Sequence, residues 1–412
     1  MTGGRGSSWK FASAAEREKL VLTAALAIAF GYVASLALMV QAGSWPVGAD
    51  GKPIVEDFIA FWVAGKLTLK GAVLAAYDPK LQHAAETALI GHPFSGALGW
   101  SYPPLFLFVA VALAQLPYLP AFIAWIALTW IFYAAVAARI ARRWTMFAVA
   151  LAAPWSLTAL LPGQNGFLTA ALVGLVLLHL EKRPVLAGIL LGLLSYKPQF
   201  GILFPLALAA GGYWRSFGWA ALSAFAANVV SGMVFGFATW SAFAHALSAT
   251  AETHLIQNGT GWWFKLESAY GLVRGLGGST GAAWLAQALA TTAVALAIVW
   301  TWRRPIPFAR KAALLAAAIP LATPYIFSYD LPILAVAAAF LARDRAFDRI
   351  ELALLVSTIP SCFALVWVPL PTALFASLAV GAIAVRRVYP TRPRARISPS
   401  WATEATSLPS AE

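Results

Sequence analysis

Residues 20–40 read LVLTAALAIAFGYVASLALMV, an apolar run without a charged side chain. A helix needs about 20 residues to cross the hydrocarbon core of a bilayer, so this run predicts a first membrane-spanning helix. The apolar core of a secretory signal peptide is shorter, about 7–15 residues, although VQAG at 40–43 loosely resembles a cleavage site. We therefore expect that this span is not cleaved from the chain and that the preceding segment 1–19, which is basic, lies in the cytoplasm.

The rest of the chain has the same apolar character. Of its 412 residues, 61% are hydrophobic and 11% are charged, whereas a soluble domain carries roughly 25% charged residues. No strand alternation between turns is visible, which argues against a barrel. The sequence therefore predicts an all-α polytopic membrane protein with about 11–13 transmembrane helices. The apolar segments after the first are 103–117, 120–138, 145–161, 165–180, 184–212, 217–237, 283–301, 311–327, 329–342, 350–366 and 369–385.

The net charge of +13 comes from short clusters of Lys and Arg between apolar runs. Such clusters are typical of cytoplasmic loops, so the charge follows from the positive-inside rule and gives no support to a nucleic-acid partner. The clusters are 139–144, 181–184, 302–311, 343–349 and 386–396, and the last one is also placed to touch anionic membrane lipids. The single cysteine, Cys362, lies in an apolar segment and is expected to be a buried hydrophobe.

The orientation of segments 103–117 and 120–138 is open. If the basic clusters from Arg139 onward are cytoplasmic, the polar stretches at 162–165, 195–200, 240–264, 323–330 and 368–371 all lie outside. However, two crossings after an external loop at 43–102 would place the cluster at 139–144 outside as well. Either one of the two segments is re-entrant, or one basic cluster breaks the rule.

The membrane domain is expected to span 20–388, and three regions of the chain, two of them loops of this domain, are expected to lie outside the bilayer. They are a first external loop at 43–101, a second polar loop at 240–282, and a disordered cytoplasmic tail at 389–412. In the first loop, Phe58, Phe61, Trp62 and Leu69 recur at helical spacing, which predicts a helix lying on the membrane surface. A second helical piece is expected at 79–90.

Glu56 and Asp57 stand side by side at the start of that first-loop helix. One interpretation is structural, because acidic residues favour the positive N-terminal end of a helix. The other is that one of them is a general base facing substrates at the lipid–water boundary. Residue type and spacing do not separate the two.

Four blocks of the sequence together resemble glycosyltransferase family 87, a member of the GT-C superfamily of membrane glycosyltransferases. The blocks are EDFIAFWVAGKLTLKGAVLAAYDP (56–79), WSYPPLFLFVAVALAQLP (100–117), LLPGQNGFLTAALVGL (160–175) and RPVLAGILLGLLSYKPQFGILFPLAL (183–208). The resemblance covers about residues 20–340 and extends to mycobacterial polyprenol-phosphate-mannose-dependent α-mannosyltransferases.

The resemblance implies a GT-C-type helical bundle in a bacterial inner membrane, with its active site facing the periplasm. It implies a polyprenyl-phosphate sugar donor, with mannose as the leading hexose, and a glycolipid or envelope polysaccharide as acceptor. It also implies an acidic base in the first external loop, a position matched here by Asp57, with Glu56 as the fallback. A single positioned carboxylate fits an inverting displacement, since hydrolases use two.

The leaving phosphate needs a cation, and Lys197 in SYKPQF is the first candidate. It lies among apolar residues, where an ionisable group is costly unless it has a function or a partner. Pro198 breaks the helix there and would open backbone groups to a cavity. The structural alternative is a lysine that snorkels to the interface. Arg274 is the second candidate for binding the phosphate, and its alternative interpretation is an ordinary loop arginine.

Other polar residues near the ends of spans are candidate substrate contacts. Each also has a structural interpretation as a turn, cap or interfacial loop residue. The set is Tyr102, Gln164, Asn165, His254, Asn258 and Asp330.

The sequence contains no D-x-D triplet and no His pair at i, i+4, so we predict no metal and no cofactor. Two other functions are considered, a transporter or lipid flippase and a catalytically inactive homologue. A transporter predicts charged residues deep in several spans, whereas here Lys197 is nearly alone. An inactive homologue predicts that Asp57→Asn has no effect.

Overall fold

The computed structural model describes residues 14–42, 56–91, 99–257, 263–364 and 367–389. Within these ranges the chain is helical, with turns and without strands, which confirms the predicted all-α class. The helices are α1 (Ala14–Gln41), α2 (Glu56–Leu69), α3 (Pro79–Ile90), α4 (Leu107–Ala114), α5 (Tyr118–Ala141), α6 (Thr145–Ala152), α7 (Pro154–Leu160), α8 (Gly166–His179), α9 (Pro184–Leu193), α10 (Phe204–Gly211), α11 (Trp214–Phe235), α12 (Ala238–Ala251), α13 (Ala269–Gly275), α14 (Thr280–Trp302), α15 (Phe308–Ala318), α16 (Ile333–Asp344), α17 (Arg349–Phe363) and α18 (Leu374–Val388).

Four helices among the described residues are long and apolar enough to cross a membrane by themselves: Glu18–Gln41 within α1, α5, α11 and α14. Large apolar side chains on α1, α11 and α14, such as Phe30, Phe225 and Leu289, are well exposed. Such a surface suits lipid, and the chain is a multi-pass membrane protein. The other apolar segments form shorter helices, so the total of 11–13 crossings stays a prediction.

The apolar run 184–212 is a broken helix. Helix α9 ends at Leu193, two short 3₁₀ turns follow at Leu194–Tyr196 and Pro198–Phe200, and α10 begins at Phe204. Lys197 lies between the two turns. Proline cannot continue the preceding helix, so Pro198 explains why the break falls here.

The length of segment 104–114 bears on the open orientation. It consists of one 3₁₀ turn, Pro104–Phe106, and α4. Its eleven residues rise about 16 Å at 1.5 Å each, roughly half the hydrocarbon thickness. Helix α4 packs on α2, where Gly65 approaches the Ala110 carbonyl so closely that a methyl group would lie 2.1 Å from it. If this segment is the re-entrant one, α5 is the only crossing there and the cluster at 139–144 lies on the same side as the other basic clusters; the orientation stays a prediction.

The loop 43–101, predicted to be external, contains the two predicted helical pieces as α2 and α3. Asp78 caps α3 by accepting hydrogen bonds from the backbone of Lys80 and Leu81. Residues 58–61 of α2 are all buried, so the first turns of this helix pack against protein on every side and not on one apolar face. The position of the helix at the membrane surface stays a prediction. Residues 43–55 and 92–98 of this loop lie outside the described residues.

The basic clusters gather at one end of the bundle. The fully buried Arg387 side chain pairs with Glu351 at 2.8 Å, and Arg310 pairs with Asp344 at 3.0 Å. These contacts join α17 to α18 and α15 to α16. Cys362 is buried, as predicted. Residues 1–13 and the predicted disordered tail from 390 onward lie outside the described residues.

Candidate active site

The turn 162–166 connects three parts of the chain. The backbone N–H of Phe58, in the first turn of α2, donates to the Pro162 carbonyl at 3.1 Å. The Trp125 side chain on α5 donates to the Gly163 carbonyl at 2.9 Å. Gly163 has φ +72°, a left-handed conformation that glycine adopts without steric cost. Together these contacts hold the N-terminal end of α2, and therefore Asp57, beside the turn.

Gln164 and Asn165 are buried within this turn. The Gln164 Oε1 atom accepts a hydrogen bond from the Tyr102 hydroxyl at 3.0 Å and another from the Asn165 backbone N–H at 3.0 Å. The turn therefore does more than reverse the chain. Its glutamine side chain ties the segment before α4 to the start of α8.

Lys197 reaches the same place from the break between α9 and α10. Its Nζ donates to Asn165 Oδ1 at 2.7 Å and forms an ion pair with Asp330 Oδ1. The second carboxylate oxygen of Asp330 accepts from the Phe327 backbone N–H at 3.1 Å. An ammonium group has three N–H bonds, and the described residues use two of them. The Nδ2 atom of Asn165 is buried and has no hydrogen-bond partner among the described residues.

Close packing of α8 on the segment 328–330 brings Asp330 to Lys197. Gly166 opens α8, and a Cβ at this position would lie 1.9 Å from the Tyr329 carbonyl oxygen. Thr158 on α7 donates to the Ser328 carbonyl at 3.0 Å. A glycine at the start of α8 is thus a steric condition for the Lys197–Asp330 pair.

Asp57 is half-buried, and the hydrogen bond from the neighbouring Phe58 N–H to the Pro162 carbonyl places it next to this cluster. Burial raises the pKa of the Tyr102 hydroxyl well above the usual range, and the Asp57 and Asp330 carboxylates raise it further. The Asp57 carboxylate therefore lies within electrostatic reach of Tyr102. The structure brings together the predicted residues Asp57, Tyr102, Gln164, Asn165, Lys197 and Asp330.

His254 and Arg274 lie in a second group of contacts. His254 is in a π-helical stretch, Glu252–Gln257, and its Nδ1 lies 2.6 Å from the Tyr325 hydroxyl. Burial, helped by the Lys265 charge, lowers the pKa of His254 to about 4, so the ring is neutral at pH 7. The Arg274 guanidinium stacks on Trp263 at 3.7 Å and donates to the Gly278 carbonyl at 3.0 Å.

A sequence model described as glycosyltransferase family 87 matches residues 100–324, more than half of the chain. The chain belongs to glycosyltransferase family 87. Searches of curated proteins and of solved structures gave no match. The family match includes Tyr102, Gln164, Lys197 and the two residues of the second group. Asp57 and Asp330 lie outside the matched range, and the contacts described above join them to it.

Membership in this glycosyltransferase family gives the cluster a chemical context. A sugar transferase needs a base for the acceptor hydroxyl and donors for the leaving group. The cluster offers carboxylates, one ammonium and amide groups at the junction of three helix breaks. Among the described residues, no three His, Cys, Asp or Glu side chains lie together as a metal site would require.

Two predicted site residues fall outside the described part of this family member. Asn258 is in the range 258–262, and only the backbone of Glu56, the first residue of α2, is described. Their assigned roles stay predictions.

Sequence reasoning did not single out Tyr196, which supports the site, or Glu267, which is buried outside it. Tyr196 stacks on Phe106 at 4.9 Å and its hydroxyl lies 2.6 Å from Thr169 Oγ1, which fixes the turn before Lys197. Glu267 is fully buried, and its carboxylate accepts from the Leu374 backbone N–H at 2.9 Å. The scarcity of acids, 16 Asp and Glu in the whole chain, was a signal that pointed to Glu267.

Proposed function

We propose that this glycosyltransferase moves a hexose, with mannose as the first choice, from a polyprenyl-phosphate sugar to a glycolipid or envelope polysaccharide. The observation that carries the proposal is the contrast between two carboxylates in one cluster. Asp330 is buried, and its two oxygens are engaged by Lys197 and by the Phe327 backbone. Asp57 is half-exposed. Carboxylates in such different environments take different roles, so Asp57 is the general base and Asp330 orients the lysine.

The proposed reaction is a single displacement. The acceptor hydroxyl oxygen attacks the anomeric carbon while Asp57 takes the hydroxyl proton. The bond between the anomeric carbon and the phosphate oxygen breaks, and the electron pair leaves with the polyprenyl phosphate. Attack from the face opposite the leaving group inverts the anomeric configuration. Glu56 is the fallback for the base.

Lys197 is the first candidate for the donor phosphate. One N–H of the Lys197 ammonium is not used by the described residues, and the Asn165 Nδ2 has no hydrogen-bond partner among them. These two donors lie next to each other, because the Lys197 Nζ bonds to the Asn165 Oδ1. A compact ammonium charge suits the phosphate of a leaving group. Arg274 is the second candidate, and its stacking on Trp263 and bond to Gly278 make it less available. We propose sugar contacts for Tyr102, Gln164 and His254.

The proposed orientation follows from charge. The loops at 162–166 and 323–330 alternate along the chain with the basic loops, two of which carry the ion pairs of Arg310 and Arg387. This alternation supports a cluster at the end of the bundle opposite the basic loops. The positive-inside rule puts the basic end in the cytoplasm. The active site then faces the periplasm of a bacterial inner membrane.

The test is transfer of radiolabelled mannose from polyprenyl-phosphate mannose in membranes that contain the wild type or Asp57→Asn, with host lipids as acceptor. Loss of the base should reduce the rate by about 10²–10⁴. Asp78→Asn is the matched control, because Asp78 is an exposed residue of the same loop and asparagine caps a helix as well as aspartate does.

Labelled product from the wild type and from Asp78→Asn, but not from Asp57→Asn, would support the reaction and the base. Equal product from all three would reject Asp57 and direct attention to Glu56. Absence of product from every protein would reject mannose as the donor sugar or host lipids as acceptor, and a panel of other lipid-linked hexoses would follow.

A further inference from the structure

A groove lies at the C-terminal end of helix α14, where the chain leaves its long apolar span. Its volume is about 650 Å³, within the range of about 300–1,000 Å³ that is typical of ligand sites. Its lining includes Leu296, Trp300, Arg303, Arg304 and Tyr389, together with apolar neighbours on α14. None of these residues belongs to the candidate active site. The groove lies between the end of α14 and the residue that follows α18.

The groove is apolar along the helix and cationic at the end of it. Leu296 lies within the long span and is 65% exposed. Arg303 and Arg304 directly follow the last residue of α14 and are both exposed. Seven residues separate Leu296 from Arg303, which corresponds to about 10 Å along a helix axis. Since a span of this length ends near the lipid headgroups, the groove combines an apolar wall at hydrocarbon depth with two positive charges at headgroup depth.

Two aromatic residues support the cationic end of the groove. The Arg304 guanidinium lies 4.2 Å from the centre of the Trp300 ring, and this ring stacks on Tyr389 at 4.4 Å. Tryptophan and tyrosine are enriched at the depth of the lipid headgroups. A guanidinium that stacks on a ring keeps the N–H groups at its edge, and these can donate in pairs to the oxygens of a phosphate. The stacking therefore orders a phosphate-binding group before any ligand arrives.

The arginines of the groove differ from the other arginines of the basic clusters 302–311 and 386–396. Arg310, Arg386 and Arg387 each form an ion pair with an acidic side chain. Neither Arg303 nor Arg304 forms such a pair within the part of the chain that the structure describes. Their charges are therefore available to an anion from outside the chain.

We propose that this groove binds an anionic phospholipid, with its phosphate at Arg303 and Arg304 and an acyl chain along Leu296. Basic pockets between transmembrane helices bind anionic headgroups in this way. A free phosphate ion would meet two exposed arginines in water, where single charge pairs contribute little, and would leave the apolar wall uncovered. A phospholipid covers both parts of the groove. The inference is independent of the proposed reaction, because the two sites share no residue.

The C-terminal tail is a poorer occupant of the groove than a lipid. The sequence after Tyr389 contains Arg392, Arg394 and Arg396, and like charges repel those of the groove. The same tail charges add to the attraction for an anionic membrane. The proposed site also differs from the lipid contact expected for the cluster 386–396. That expectation rests on charge alone, whereas the groove combines charge with a cavity and an apolar wall.

The experiment measures lipid binding to the full chain in detergent by native mass spectrometry, which counts the lipid molecules bound to each protein. The probes are dioleoyl-phosphatidylglycerol, which is anionic, and dioleoyl-phosphatidylcholine, which has the same acyl chains and no net charge. The test variant is Arg303→Gln/Arg304→Gln. The matched control is Arg142→Gln/Arg143→Gln, because these arginines are also an adjacent exposed pair that follows a long span, α5, and precedes the exposed Trp144.

We expect the wild type and the control variant to bind the first phosphatidylglycerol about tenfold more tightly than phosphatidylcholine. The test variant should bind phosphatidylglycerol about 30-fold more weakly than the wild type, the loss expected for two basic contacts with an anionic headgroup. Its affinity for phosphatidylcholine should not change. The single variant Arg303→Gln keeps the contact of Arg304 with Trp300 and should lose about fivefold. Glycerol 3-phosphate should not displace the lipid, since it has no acyl chain.

Three results would overturn the inference. Equal affinity of the wild type for the two lipids would show that the groove recognises no headgroup charge. An equal loss in both double variants would show that net charge, and not this site, controls binding. Displacement by glycerol 3-phosphate would make the ligand a free phosphate. If Arg303→Gln/Arg304→Gln loses its native elution profile, Arg303→Gln replaces it under the same criteria.

Discussion

Removing the charge of Lys197 should unfold the site as well as inactivate it. Lys197 is 3% exposed and Asp330 is 1% exposed, and the two form a direct ion pair. In Lys197→Met, Asp330 loses the ammonium and keeps the Phe327 backbone N–H as its partner. Loss of one member of a buried ion pair costs about 3–5 kcal/mol, because an uncompensated charge stays in a poorly solvated place.

The double variant Lys197→Met/Asp330→Asn separates stability from catalysis. It removes both charges, and the asparagine side-chain oxygen keeps an acceptor for the Phe327 N–H, so no uncompensated charge stays buried. We therefore expect the free energy of unfolding to recover most of the loss seen in the single variant. Sugar transfer should not recover, since removal of one group that stabilises developing charge costs about 10²–10³ in rate.

The assay is the thermal unfolding midpoint of the detergent-solubilised protein, followed by size-exclusion chromatography, together with mannose transfer in membranes. Lys66→Met is the matched control, because Lys66 is a partly exposed lysine whose Nζ lies 4.8 Å from the Trp62 ring. We expect Lys66→Met to leave both the unfolding midpoint and the rate of mannose transfer nearly unchanged. Normal stability of Lys197→Met would refute the argument that the pair is buried and ionised, and transfer by the double variant would refute the role of Lys197 at the phosphate.

Two further predictions concern packing and pH. Gly166→Ala should lower the free energy of unfolding by about 1–3 kcal/mol and reduce sugar transfer, because the new methyl group would lie 1.9 Å from the Tyr329 carbonyl oxygen. Gly218→Ala on α11 is the control and should be neutral, because nothing lies within 4 Å of its new methyl group. The thermal unfolding and transfer assays described above check both variants. Burial raises the pKa of the Glu267 carboxyl to about 8. Between about pH 4.5 and 8 the folded protein therefore keeps a proton that the unfolded chain loses, so the unfolding midpoint should fall as the pH rises through this range. Glu267→Gln should flatten that decline; an equally steep decline in this variant would show that another group controls it.

Sequence reasoning found the polar residues of the site but not their pairing. Gln164 and Lys197 stand out because each interrupts an apolar run next to a helix breaker. The ion pair of Lys197 with Asp330 joins residues 133 positions apart, and it depends on how closely α8 approaches the segment before α16. Gly166 controls that approach, and a glycine at the start of a helix gives no sign in the sequence of what lies against it.

The lengths of the helices and the number of helices around α2 could also not be predicted from the sequence. The apolar run 103–117 reads as a span, yet Pro103 and Pro104 delay the helix and leave α4 with eight residues. The spacing of Phe58 and Phe61 in α2 predicts one apolar face. Ile59 and Ala60 are buried as well, because α2 is surrounded by other helices. Periodicity reports how apolar a helix is around its axis, and it does not report how many neighbours the helix has.

The positions of the helix breaks explain why the site lies where it does. A backbone group outside a helix is costly at membrane depth unless it lies in protein or lines a polar cavity. The chain breaks its helices at Gly163, at Pro198 and before Asp330, and the side chains at these three breaks bond to one another through Lys197 and Asn165. Each break therefore supplies part of the polar environment that the others need. A buried lysine of this kind is stable only as part of that assembly, so the same contacts that stabilise the three breaks also hold the positive charge that the proposed reaction requires.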